Sequence, residues 1–113
     1  MNKRKKSVFG EYLVTEIKAA GMSQEEFYTA VGIAKPYFYD ILTASPPPID
    51  LQNRMLHVLN AKTGENSERT SMFYDLAAKE RKEIPADIRK LIIDNPQKMR
   101  EIRSKLIALL STQ

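Results

Sequence analysis

The stretch "MSQEEFYTAVGIAKPYFYDIL", Met22 to Leu42, decides how this chain is read. Two short apolar patterns flank one glycine, Gly32, and three aromatics, Tyr37, Phe38 and Tyr39, follow almost at once. Ser23 and Glu26 have the spacing of a capping box, in which a hydroxyl and a carboxylate each bond the other residue's backbone amide at a helix start. Phe27 and Val31 lie one turn apart and form the inward pair of that helix; Gly32 stops it. A following helix is predicted from Lys35 to Thr43, with Pro36 in its first turn, where the missing amide hydrogen is not needed. The connection is only Gly32, Ile33 and Ala34, which are the dimensions of a helix-turn-helix, and Gly32 supplies the conformation that so tight a turn requires. At about 100° per residue, Phe38 and Ile41 face the same interior as Phe27, Val31 and Ile33. Lys35, Pro36, Tyr39, Asp40 and Thr43 occupy the opposite arc, with Tyr37 on its flank. One half of the segment holds a core and the other half is offered outward.

Helical spacing continues on both sides. Phe9, Leu13 and Ile17 recur every four residues, with Ala20 three further on, and Gly21 ends that helix. Three prolines in "SPPP" terminate the third helix. A fourth, about Asp50 to Leu59, buries Leu51, Met55 and Val58 or Leu59. The polar segment "NAKTGENS" reads as a boundary. The chain then divides into a basic disordered arm over 1–7, a helix-turn-helix domain over 8–62 and a helical extension over 63–113. In the extension Ser67 is expected to cap a fifth helix through about Lys82, with Phe73, Leu76 and Ala77 inward. Pro85 opens a sixth, Pro85 to Ile93, carrying Ile88, Leu91 and Ile92. Asn95-Pro96 pairs a capping residue with a proline at the start of the last helix, whose stripe is Met99, Ile102, Leu106, Leu109 and Leu110. No segment alternates with period two, so the predicted class is all-α.

The 113 residues suggest one domain with room for an extension. No apolar run approaches the roughly 20 residues of a membrane span, and the N-terminus lacks the apolar stretch of a signal peptide. A cytoplasmic protein without a membrane partner is expected. Cysteine is absent and His57 is the single histidine, which excludes thiolate zinc sites and leaves no Ser–His pair for common catalysis. No P-loop occurs. Hence no catalytic residue, metal or cofactor is expected, and the protein is not read as an enzyme. The net charge of +4 and pI of about 9.4 favour an anionic partner. Lys3, Arg4, Lys5 and Lys6 concentrate positive charge in the arm. Four phosphate contacts there would contribute about −3.6 to the salt slope of nucleic-acid binding; as a solvated tail the arm would contribute nothing.

"SQEEFYTAVGIAKPYFYDIL" resembles the Xre/Cro/phage-repressor family of helix-turn-helix proteins. The family pattern runs Ser/Thr-Gln-Glu-x-Leu-Ala, then Gly-Ile-Ser, then a recognition helix with an apolar pair three apart. "PPPIDLQNRMLHVL" resembles the fourth helix of that fold, and the likeness covers about Val8 to Leu59. It implies a lambda-repressor-like domain of four to five helices, followed here by C-terminal helices. It also implies a sequence-specific regulator, a repressor, whose third helix enters the major groove of double-stranded DNA. Carried over by position, Gln24 would contact a phosphate. Lys35, Pro36, Tyr39 and Asp40 would face base edges or the sugar–phosphate wall, with Tyr37 at the flank, and Thr43 and Ser45 would meet phosphates after the helix. Lys35 can donate to guanine and Asp40 can accept from a cytosine amino group.

The chain departs from the pattern at three places. Tyr28 stands where alanine is usual, so the helices splay or the ring escapes sideways. Ala34 replaces the usual Ser/Thr cap, a loss of about 1 kcal/mol. The outward arc carries one Lys against one Asp, without Arg, Asn or Gln. The competing reading is a protein-interaction module, an antitoxin or adaptor, because aromatics are enriched at protein interfaces. Family relatives pair to read two half-sites, which assigns the last helix to a homodimer seam; folding back on its own chain is the other option.

Overall fold

Seven α-helices and one 3-10 turn account for the regular structure of the described residues, 4–111, of the computed structural model. No strand occurs among these residues, so the class is all-α. The first four helices are α1 (Val8–Ala19), α2 (Gln24–Val31), α3 (Lys35–Thr43) and α4 (Ile49–Thr63). Their inward stripes, from Phe9, Leu13 and Ile17 to Leu51, Met55 and Leu59, meet in one buried cluster.

The capping box forms at α2. Ser23 Oγ accepts from Glu26 N–H at 3.0 Å, and Glu26 Oε1 accepts from Ser23 N–H at 2.8 Å. That backbone donation holds the Glu26 carboxyl below its usual range. Gly32 takes φ 91°, a left-handed conformation that lets the chain turn at once into α3. Ala34 gives α3 no side-chain cap, as its methyl requires. Tyr28 does not drive the two helices apart. Its half-buried ring packs beside Phe38 with centroids 5.3 Å apart, and Phe27 and Phe38 stay buried.

Residues 4–7 are not a detached arm. Ser7 caps α1, its Oγ accepting from Gly10 N–H at 2.9 Å, while its own N–H donates to Leu42 O at 2.9 Å. This brings the first turn of α1 onto the backbone at the end of α3. A Cβ on Gly10 would lie 1.9 Å from Leu42 O, so only glycine admits the approach.

The expected boundary after Lys62 is not one in the packing. Helix α4 runs one turn beyond the predicted Leu59, leaving a short link before α5 (Ser67–Arg81). Asn66, not Ser67, caps α5: its Oδ1 accepts from Arg69 N–H at 3.0 Å. Phe73 is fully buried and meets Phe9 edge to face at 5.1 Å, and Ala77 joins the same cluster. Leu76 is half-buried. Arg69, a charged residue only 8% exposed, ties α5 to the end of α4. Its guanidinium donates to Asn60 Oδ1, to Thr63 Oγ1 at 2.8 Å and to Gly64 O at 2.7 Å, with the Glu16 carboxylate of α1 at 4.0 Å. The α2–α3 pair therefore sits in a five-helix core.

Beyond it come α6 (Ala86–Ile93), the 3-10 turn Pro96–Lys98 and α7 (Met99–Ser111). Ala86 is the buried residue of α6; of its expected apolar residues Ile92 is half-buried, and Ile88 and Leu91 are exposed. Asn95 does not cap the last helix, because its amide donates to Leu91 O at 2.8 Å and so closes α6 instead. No residue of α7 is buried. These elements extend the molecule to 50 × 32 × 22 Å. No described helix is long and apolar enough to cross a membrane.

Candidate nucleic-acid interface

The outward arc of α3 is presented as its helical phase dictates. Lys35, Pro36, Tyr37, Tyr39 and Asp40 are exposed, and so is Ser45 after the helix. Thr43 is half-buried and its hydroxyl donates to Tyr39 O at 2.9 Å, which leaves that oxygen only as an acceptor. Gln24 is exposed at the first position of α2.

The basic segment before α1 lies against this arc. Because Ser7 is fixed to Leu42, the preceding residues emerge beside α3. Arg4 Nη2 donates to Asp40 Oδ1 at 2.6 Å, and its guanidinium carbon stands 5.3 Å from the centre of the Tyr39 ring, a cation–π contact. Asp40 thus already has a cationic partner and is not an isolated acceptor. Arg4, Lys5, Lys6, Gln24 and Tyr39 line a cleft of about 660 Å³, whose other wall is Glu11, Val14 and Thr15 of α1. With Arg4 paired to Asp40, Lys5 and Lys6 face one carboxylate there, Glu11. A cleft of that charge attracts an anionic strand.

The structure thus brings together six of the residues expected from the sequence, Arg4, Lys5, Lys6, Gln24 and Tyr39 in the cleft and Asp40 bonded to Arg4. Lys35, Pro36 and Tyr37 stand at the start of α3 and do not line the cleft, and neither do Thr43 and Ser45. Lys3 lies outside the described residues. The α1 wall was missed by sequence reasoning. The signal was present, since Glu11, Val14 and Thr15 fall off the Phe9–Leu13–Ile17 stripe. Among the described residues no cluster of three or more His, Asp or Glu side chains could hold a metal ion, and His57 is exposed on α4.

No family model, curated protein or solved structure matches this chain. The site's chemistry therefore stands on its own geometry.

A second surface lies on the C-terminal helices. Met99 and Ile102 are half-buried, whereas Leu106, Leu109 and Leu110 are exposed by 46, 70 and 72%. All five fall within an arc of about 100° on α7. With Ile92 of α6, four of them line an apolar groove of about 470 Å³. The expected alternative, α7 folded back as core of its own chain, is not adopted.

Proposed function

We propose that this chain is a sequence-specific DNA-binding transcriptional regulator of the repressor-like helix-turn-helix kind, working in the cytoplasm as a homodimer and without catalysis. The observation that carries this reading is the basic cleft, which gathers Arg4, Lys5 and Lys6 with Gln24 at the start of α2 and Tyr39 on α3. A phosphate strand in that cleft sets the register of the protein on the duplex. The outward arc of α3 then meets base edges in the major groove, where Lys35 can donate to guanine. Occupying a promoter in this way represses it.

The apolar face of the C-terminal helices supports pairing with a second copy. Leu106, Ile107 and Leu110, exposed on α7, line one apolar groove with Ile92, Met99 and Ile102, the kind of exposed apolar surface that marks an interaction site. A helix of 13 residues is also marginal in water unless its apolar face is covered. A partner protein on the same face, with the chain acting as antitoxin or adaptor, is the second reading, and the same exposed face is what favours it.

The test is selection of bound sequences from a random duplex library, followed by affinity measured against salt. The full chain is expected to enrich a motif. Deleting residues 2–6 is expected to make the salt slope shallower by about 0.9 for each phosphate that is no longer neutralised. Enrichment of no motif refutes the sequence-specific reading.

A further inference from the structure

We infer that Arg4, held over the outward arc of α3 by Asp40 and Tyr39, reads a guanine in the major groove, and that Asp40 is its positioning residue. The inference rests on the DNA-binding reading above and assigns specificity to a residue outside the third helix, 36 positions from Asp40 in the chain.

Two contacts of different kinds fix the guanidinium. The bond from Nη2 to Asp40 Oδ1, 2.6 Å, sets its direction, and the Tyr39 ring at 5.3 Å supports its face. A guanidinium carries its donors in a rigid planar fork, so fixing one edge aims the other. The Arg4 and Asp40 side chains are 51% and 57% exposed, and the donors not used by Asp40 remain open to a ligand. An arginine fork matches the O6 and N7 acceptors of guanine, the commonest specific contact in the major groove.

The same contacts account for an acidic residue on a DNA-facing arc. An unpaired carboxylate there would be repelled by the phosphates; paired with Arg4, its charge is balanced and its geometry used. The arc also gains the arginine that α3 itself lacks. An arginine on a chain segment tethered at Ser7 and anchored twice gives up less conformational freedom on binding than one at a loose end. An exposed ion pair adds little to the fold, so substitutions at Arg4 and Asp40 leave the protein folded and readable.

The experiment repeats the duplex selection with full-length wild type, Arg4→Ala, Arg4→Lys, Asp40→Asn and Lys5→Ala. Wild type is expected to show a guanine position whose preference both Arg4 variants reduce by roughly 5- to 150-fold, the range of one bidentate contact, with the rest of the motif retained. Asp40→Asn is expected to weaken the same position partly, and Lys5→Ala to weaken all sequences evenly. An unchanged motif in Arg4→Ala overturns the inference and leaves the DNA-binding reading standing. So does loss of a cytosine position in Asp40→Asn with the guanine kept, since Asp40 would then read directly. A wild type that enriches no motif removes both.

Discussion

The fifth helix belongs to the core, and this has a measurable size. Phe73 is completely buried with its ring edge on Phe9, 5.1 Å away. Truncating such a phenylalanine costs about 3–5 kcal/mol, from forfeited transfer energy and the cavity left behind, and the aromatic pairing places this site toward the upper end. Against a total stability of about 5–15 kcal/mol for a small domain, Phe73→Ala is expected to lower the melting temperature by roughly 15–30 °C. Removing α5 entirely also uncovers Phe9 and leaves Asn60 and Glu16 without Arg69. A chain of residues 1–62 is therefore expected to show no cooperative transition, whereas a chain of residues 1–82 keeps one. Urea unfolding followed by far-ultraviolet circular dichroism separates the cases. Cooperative unfolding of residues 1–62, or a destabilisation below about 1 kcal/mol for Phe73→Ala, would refute the five-helix core.

Three further outcomes follow from particular contacts. Gly10→Ala is expected to destabilise by about 1–3 kcal/mol, because its methyl must displace the α3 backbone; a gain of about 1 kcal/mol in urea titration, as at an open helix site, would contradict the close approach. Leu106→Asp is expected to give a folded monomer by light scattering where wild type is dimeric at tens of micromolar, and monomeric wild type would sink the dimer seam. Burial, helped by the Glu16 carboxylate and opposed by Arg69, pushes the Tyr12 phenol up to about 12. The native state therefore holds a proton that the unfolded chain releases near pH 10, so stability falls as pH rises from about 10 to 12. Tyr12→Phe should remove part of that decline, and an identical alkaline slope would discount the shift.

Local signals were legible and long-range ones were not. The Ser23–Glu26 box, the Gly32 turn and the bounds of α3 depend on residues within one or two turns, and all stand as expected. The polar link before α5 looked like a boundary because composition reports solvent exposure, not what the next helix touches. Arg69 gave no warning, since a buried cation depends on acceptors from two helices and a loop that no short window contains. Gly10 carries no local sign of its close approach, because the Leu42 carbonyl above it is distant in sequence. Nothing near Asp40 in sequence announces its partner, because Arg4 lies 36 positions away in a segment read as disordered. Ile88 and Leu91 have helical spacing, but periodicity cannot say whether an apolar face meets its own chain.

The contact between α1 and α5 also sets when the protein can exist. Phe9 N–H donates to the Glu80 carboxylate at 3.4 Å, across 71 residues of sequence. During synthesis at about 5–20 residues per second, roughly 2–8 s separate completion of α3 from completion of α5. Through that interval the nascent chain holds α1 without the α5 face that covers Phe9. A message cut short before α5 would yield a polypeptide that contains the whole α2–α3 segment but leaves Phe9 without the Phe73 ring that covers it.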